Sequence, residues 1–140
     1  MNQNQAPEIE QIIDLISKVD FISGIRDSNQ YIFPIKRVLE CEGFYVIPEY
    51  PIRYDHRSHY IDIHAKKGNR VICVEIDYKT VKLESIKRIS QIFKAIPIFV
   101  LTGEGESYIQ ESLERINLPN FFLIDLYNHS VFSQKDKKQP

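Results

Sequence analysis

Hydrophobic positions change period several times along this chain, and each change predicts an element. Ile9, Ile12, Ile13, Ile16 and Val19 recur at helical spacing, with Glu8, Glu10, Asp14 and Lys18 between them, which predicts a core-facing amphipathic helix opened by Pro7. After a break at Gly24 and the polar segment behind it, Ile32, Ile35, Val38 and Leu39 predict a second helix, with Pro34 near its first turn and Gly43 as its C-cap. Phe44 to Ile52 reads as a strand that Pro48 and Pro51 confine to a sheet edge or to its own ends, and Arg53 to His59 reads as a charged loop. Two β-branched runs follow from Tyr60 to Lys79, separated by a short polar segment with one glycine, and they predict a β-hairpin. From Val81 the period is helical again, through Leu83, Ile86, Ile89, Ile92 and Phe93, up to Lys94. The nearly all-apolar run from Ile96 to Leu101 suits a buried strand reached by a helical crossover, and therefore parallel pairing. Ser107 can cap a further helix to about Asn117, Phe121 to Leu126 gives a last strand, and residues 1–6 and 133–140 read as loose polar ends. The order is that of a mixed α/β domain with an early meander and a later crossover.

The hairpin carries charges where its pattern asks for apolar residues. Asp62 interrupts its first strand, and Glu75 and Asp77 interrupt its second. Carboxylates within apolar strands are costly unless they are paired or hold a cation. Because strand side chains alternate, Glu75, Asp77 and Lys79 share a face with Val71 and Cys73, and Asp62 shares one with His64. A four-residue loop, Lys67 to Arg70, built on a type I turn sets Asp62 opposite Glu75, with Cβ atoms about 5 Å apart. A five-residue loop would set Asp62 opposite Val74 and turn it away from both acids. Two bare carboxylates that close repel, so a divalent cation between them predicts the shorter loop. Hard oxygen donors without a thiolate favour Mg²⁺, Mn²⁺ or Ca²⁺ over zinc. The competing explanation is a buried ion-pair cluster in which Lys79, Lys82 or Arg70 neutralises Glu75 and Asp77. His64 reads as a packed side chain, and His56 and His59 read as solvated loop residues.

Composition narrows the setting. The chain of 140 residues, 43% hydrophobic and 26% charged, is long enough for one domain with a real core and too short for two, so residues 1–140 are expected to form a single domain. A formal net charge of −1 provides no global attraction to nucleic acid or anionic lipid, so phosphate contacts must come from local clusters. Lys82, Lys87 and Arg88 on the helix after the hairpin form one such cluster, and Arg53, Tyr54 and Arg57 form another. Cys41 and Cys73 are too few for a disulfide framework and read as buried, reduced thiols. With no leader and no apolar run of membrane-spanning length, neither secretion nor membrane insertion is signalled and the cytoplasm is expected.

The order helix, three strands, helix, strand over about residues 30 to 102, with Asp62 on the second strand and Val-Glu-Ile-Asp-Tyr-Lys at residues 74–79 on the third, resembles the PD-(D/E)XK, or restriction-endonuclease-like, nuclease superfamily. The resemblance implies a three-layer α/β fold with a mixed central sheet flanked by helices. It also implies that Asp62 and an acid of the third strand bind Mg²⁺ or Mn²⁺, while a lysine beside them assists hydrolysis of a DNA phosphodiester. Three positions depart from the pattern. Ile61 stands where the motif has proline. Asp77-Tyr78-Lys79 fits the motif by letter, whereas Glu75-Ile76-Asp77 fits better opposite Asp62 and is the register adopted, similar to branches with an acid-x-acid strand; Lys79 or Lys82 is then a relocated lysine. The glutamate often supplied by the preceding helix has no clean counterpart, since Glu40 and Glu42 both lie near that helix's C-terminal end. The expected site is thus Asp62, Glu75 and Asp77 as metal ligands, Lys79 and Lys82 as cationic helpers, and Arg53, Arg57, Lys82 and Lys87 as DNA contacts. The function implied is a metal-dependent endonuclease, working as a homodimer or with a separate recognition subunit. The alternatives are an inactive nuclease-fold module that binds DNA or a protein partner, and an interaction domain whose acids are internal ion pairs.

Overall fold

The first helix, α1 (Gln5–Ser17), buries the predicted stripe of Ile9, Ile12, Ile13 and Ile16, with Val19 just beyond its end. The computed structural model describes residues 5–20 and 27–138; the break predicted at Gly24, residues 1–4 and residues 139–140 lie outside them. A 3₁₀ turn at Ser28–Tyr31, capped by the Asp27 carboxylate accepting from Asn29 N at 3.0 Å, leads into α2 (Ile32–Cys41). Gly43, at φ +93, ends α2 as predicted. Its N–H donates to the Glu40 carbonyl at 2.9 Å and the Phe44 N–H to the Leu39 carbonyl at 3.0 Å, the paired bonds of a Schellman closure.

Six strands form one sheet in chain order: β1 (Tyr45–Tyr54), β2 (Arg57–Lys67), β3 (Arg70–Tyr78), β4 (Ile96–Thr102), β5 (Phe122–Asp125) and β6 (Ser130–Ser133). β1, β2 and β3 are the predicted antiparallel meander, and the prolines of β1 lie on an edge strand. β3, β4 and β5 pair in parallel across helical crossovers through α3 (Leu83–Ser90) and α4 (Ile109–Arg115), and β6 returns antiparallel. One sheet face packs Ile72, Val74, Ile98 and Ile124 under α1 and α2. The other packs Cys73, Phe99, Leu101 and Leu123 under Ile86, Ile89 and Leu113 of α3 and α4. Helices therefore cover both faces of a mixed sheet. No helix among the described residues is long and apolar enough to cross a membrane.

Four local expectations are corrected. The segment Arg53 to His59 is not a loop: Asp55 and His56, at φ +52 and +61, close a two-residue turn with the mirror-image twist that suits hairpins, so its flanks join β1 and β2. The helix expected to reach Lys94 stops at Ser90. There the Ser90 hydroxyl and the Gln91 amide donate to the Lys87 carbonyl at 2.6 and 3.2 Å, and Lys94 turns left-handed at φ +58. Ser107 does not cap α4, which starts behind Tyr108; its hydroxyl instead lies 3.5 Å from the Asp125 carboxylate. Finally, Ser133 ends β6, and Gln134–Asp136 form a 3₁₀ turn closed by a capping box from Ser133 to Asp136, where a frayed tail was expected.

Candidate functional site

The β2–β3 register runs from Lys67↔Arg70 to Ile63↔Val74, and one further step sets Asp62 opposite Glu75, as the four-residue loop predicts. The turn itself differs. Gly68 is left-handed at φ +61 in its first central position and Asn69 is not, which fits a primed two-residue turn and not type I.

At Asp62 the ladder with β3 stops, and side chains take over its bonds. The Asp62 N–H donates to Glu75 Oε2 at 2.9 Å, and the Ile76 N–H donates to Asp62 Oδ2 at 2.7 Å. Beyond this point β1 and β2 continue as a two-stranded ribbon to the step Tyr54↔Arg57. The ribbon also changes sides here. Val46, Ile63 and Ala65 belong to the core under α1 and α2, whereas Tyr50, Ile52 and Ile61 pack on the α3 side. Glu49, across the ribbon from Asp62, takes up the turn at φ +49, a conformation with a steric cost for a non-glycine residue.

The three predicted acids come together. Glu75 is 0% and Asp77 6% exposed, and Asp62 is half-buried. Asp77 Oδ2 accepts the Lys82 N–H at 3.1 Å, which places a carboxylate at the start of α3, where the helix dipole favours it. Burial pushes the Glu75 carboxyl up to about 7, with the Asp62 charge adding to it and Arg88 opposing it. Burial also raises Asp62, against the Ile76 N–H and with help from Asp77 and Glu49, and raises Asp77, against its bonds to Ser85 and the Lys82 N–H.

The cation that serves this cluster is Arg88 of α3, which the sequence reading placed only on a basic flank. Its Nε and Nη2 donate to Glu75 Oε1 at 2.8 and 2.6 Å, and Nη2 also reaches Ser85 Oγ at 3.2 Å. Burial alone would lower the guanidinium's pKa, but Glu75 and the other two carboxylates raise it. The signal was present: Ser85 and Arg88 stand three apart beside the Ile86–Ile89 stripe, on the shoulder facing the sheet.

The lysines fall elsewhere. Lys79 leaves β3 left-handed at φ +62, and its side chain packs against the loop at Gly103, where an added Cβ would meet Lys79 Cγ at 2.8 Å. Lys82 is exposed, and its charge helps to hold down the Asp77 pKa. Lys87 is exposed at 3.9 Å from Glu84, and Arg53 and Arg57 are exposed beside the ribbon turn. Arg70 pairs instead with Glu8, at 2.6 Å, which also holds Lys67 at 2.9 Å. Glu40 lies 3.6 Å from Lys36 on α2, and the Glu42 carbonyl accepts from Lys67 Nζ. His64 is packed as expected, stacked on Tyr50 at 4.0 Å between ring centroids. His59 is not a solvated loop residue; it stacks on Tyr54, also at 4.0 Å. Of the two cysteines, only Cys73 is buried, with its thiol pushed up to about 12 by burial; Cys41 is exposed.

The carboxylates suit a hard cation in type but are engaged by Arg88 and by backbone N–H groups. Among the described residues, no group of three or more His, Cys, Asp or Glu side chains is disposed to hold a metal ion. Both Glu75 oxygens and one oxygen each of Asp62 and Asp77 accept hydrogen bonds from Arg88 or from backbone N–H groups. A cation shared by these carboxylates would compete with Arg88 for Glu75. No protein-family model matches the chain, and no curated protein does.

Proposed function

We propose that this chain is a metal-dependent nuclease with a restriction-endonuclease-like fold that hydrolyses DNA phosphodiesters. The observation that carries this reading is Asp62 set against Glu75 on the facing strand, where the ribbon parts from β3, with Asp77 two residues further along β3. Burial raises the pKa of all three acids, and Asp62 and Glu75 are raised further by a neighbouring carboxylate, a cost that a bound cation would relieve. Bound there, Mg²⁺ or Mn²⁺ would neutralise the phosphate and lower the pKa of a water. Asp62, Glu75 and Asp77 would hold the ion, and Arg88, if displaced from Glu75, would be the cation available to the phosphate oxygens in place of Lys79. Lys82, at the start of α3, adds positive charge on the same side, and Arg53, Arg57 and Lys87 are exposed for backbone phosphates.

A second reading, an inactive module that binds DNA or a protein partner, is favoured by the two hydrogen bonds with which Arg88 already neutralises Glu75. Cleavage of supercoiled plasmid with Mg²⁺ or Mn²⁺, lost in Asp62→Ala, is the expected result. If the wild-type chain cleaves nothing with any divalent cation, and calorimetry finds no cation binding that Asp62→Ala removes, the inactive module takes its place.

A further inference from the structure

The ribbon beyond Glu49 and Asp62 carries two polar atoms that neither ion pairing nor packing accounts for. Tyr54 Oη and His59 Nε2 are both buried, and neither has a hydrogen-bond partner among the described residues. Buried polar groups are as a rule satisfied, and each exception needs a reason. The two rings lie face to face, with centroids 4.0 Å apart and planes 14° from parallel, so the stack fixes where both atoms sit. Packing alone does not require them, because phenylalanine at either position would stack as well without a stranded polar atom.

Their position relates them to the site. Tyr54 shares its ribbon face with Tyr50 and Ile52, which pack on the α3 side of the sheet, and His59 lies across the ribbon from Ile52. The Tyr54 hydroxyl feels the charges of Glu84 and Arg88 of α3, of Asp55 in the ribbon turn and of Glu75 of β3. The inner face of the ribbon thus lies over the Arg88–Glu75 pair. Past Ile63↔Val74 it makes no ladder with β3, so lifting it about Glu49 and Asp62 breaks none of its own pairing and costs the packing of Tyr50, Ile52 and Ile61 on the α3 side.

We propose that this ribbon is a clamp over the carboxylate–arginine cluster, whose inner face gives the Tyr54 hydroxyl and the His59 Nε2–H to the non-bridging oxygens of a nucleic-acid backbone phosphate. The proposal rests on the nuclease reading for the identity of the ligand. With the ribbon down both atoms are unpartnered and shut off from solvent, and a phosphate oxygen reached as the ribbon lifts satisfies both, so ligand binding favours the lifted ribbon. Arg53 and Arg57, exposed near the ribbon turn, extend the same contact along the strand.

The test compares Tyr54→Phe and His59→Phe, which keep the rings stacked, with the wild-type chain. Binding of a short fluorescein-labelled DNA duplex is followed by anisotropy with Ca²⁺, cleavage of the same duplex with Mg²⁺ and Mn²⁺, and stability by the urea midpoint. Each variant should bind DNA about tenfold or more weakly, the worth of a hydrogen bond to a charged group, with its midpoint unchanged or raised. DNA affinity equal to wild type in both variants overturns the proposal, as does a lowered midpoint with affinity retained. Binding that depends on Tyr54 and His59 without any cleavage by the wild type keeps the clamp and rejects the nuclease. Wild-type cleavage with full affinity in both variants keeps the nuclease and rejects the clamp, and no DNA binding at all rejects both.

Discussion

Replacing Arg88 with Met keeps most of the side-chain stem and removes the charge that faces Glu75. A buried pair broken on one side ordinarily costs about 3–5 kcal/mol, because the remaining charge is left uncompensated. Glu75 has an escape, since its folded pKa is about 7 against an ordinary value of 4.5, and a protonated Glu75 carries no charge to strand. The sign follows from that raised value. A carboxyl whose folded pKa lies above its unfolded one takes up a proton on folding, so its contribution to stability is lost as pH rises between the two, at about 1.4 kcal/mol per unit. Without Arg88 the folded pKa climbs higher and the window of loss extends upward. Arg88→Met should therefore cost under about 1 kcal/mol near pH 6, where both proteins hold the proton, and lose about 1.4 kcal/mol more for each unit above about 7, towards the 3–5 kcal/mol ceiling. In Arg88→Met/Glu75→Gln the cost should be nearly flat with pH. Urea unfolding followed by far-ultraviolet circular dichroism suits a chain without tryptophan. A loss in Arg88→Met that does not change with pH, or that shrinks as pH rises, would refute the reasoning.

Three further outcomes are expected. Asp62→Asn keeps an oxygen for the Ile76 N–H but removes the charge beside Glu75, so the Glu75 carboxyl should titrate at lower pH in a carbon-13 NMR experiment; an unmoved or raised value contradicts the coupling. Maleimide should label the folded chain at Cys41 alone and reach Cys73 only after denaturation, as mass spectrometry of the digested protein can read. Gly103→Ala adds a Cβ within 2.8 Å of both Lys79 Cγ and Tyr78 Cε2 on a backbone at φ +112, and should lower stability by about 1–3 kcal/mol in the same urea assay.

What the sequence made legible was whatever its periods and spacings encode. The α1 stripe, the meander and the parallel β4 follow from apolar spacing, the end of α2 from Gly43, and the register that sets Asp62 against Glu75 from the need to give two facing carboxylates a shared cation, a need that Arg88 meets in part at Glu75. What it hid depended on contacts distant in the chain or on backbone freedom that letters do not mark. Asp55 and His56 are polar and charged, which reads as a loop, yet both accept left-handed backbone and close a tight hairpin. β6 contains two serines among its four residues and draws its order from pairing with β5. Lys79 shares a strand face with Glu75 only for as long as the strand continues, and its positive φ turns the side chain toward Gly103. Arg88 reads as one of a basic cluster facing phosphate because it lies just off the apolar stripe, where a shift of one helical position decides between solvent and a buried carboxylate.

The order of the sheet repeats the order of the chain, yet the first helix lies over its last strands. α1 shares a core with Ile124 and Leu126, and His129 Nδ1 donates to the Ser17 carbonyl at 2.7 Å. During synthesis from the N-terminus, the isoleucine stripe of α1 is thus made more than 100 residues before the segment that finishes covering it, 112 residues separating Ser17 from His129. The meander can assemble as it emerges from the ribosome, while α1 waits with an apolar face open to solvent and to chaperones. A chain cut short before Phe122 would leave its exposed surface at the opposite terminus from the cut.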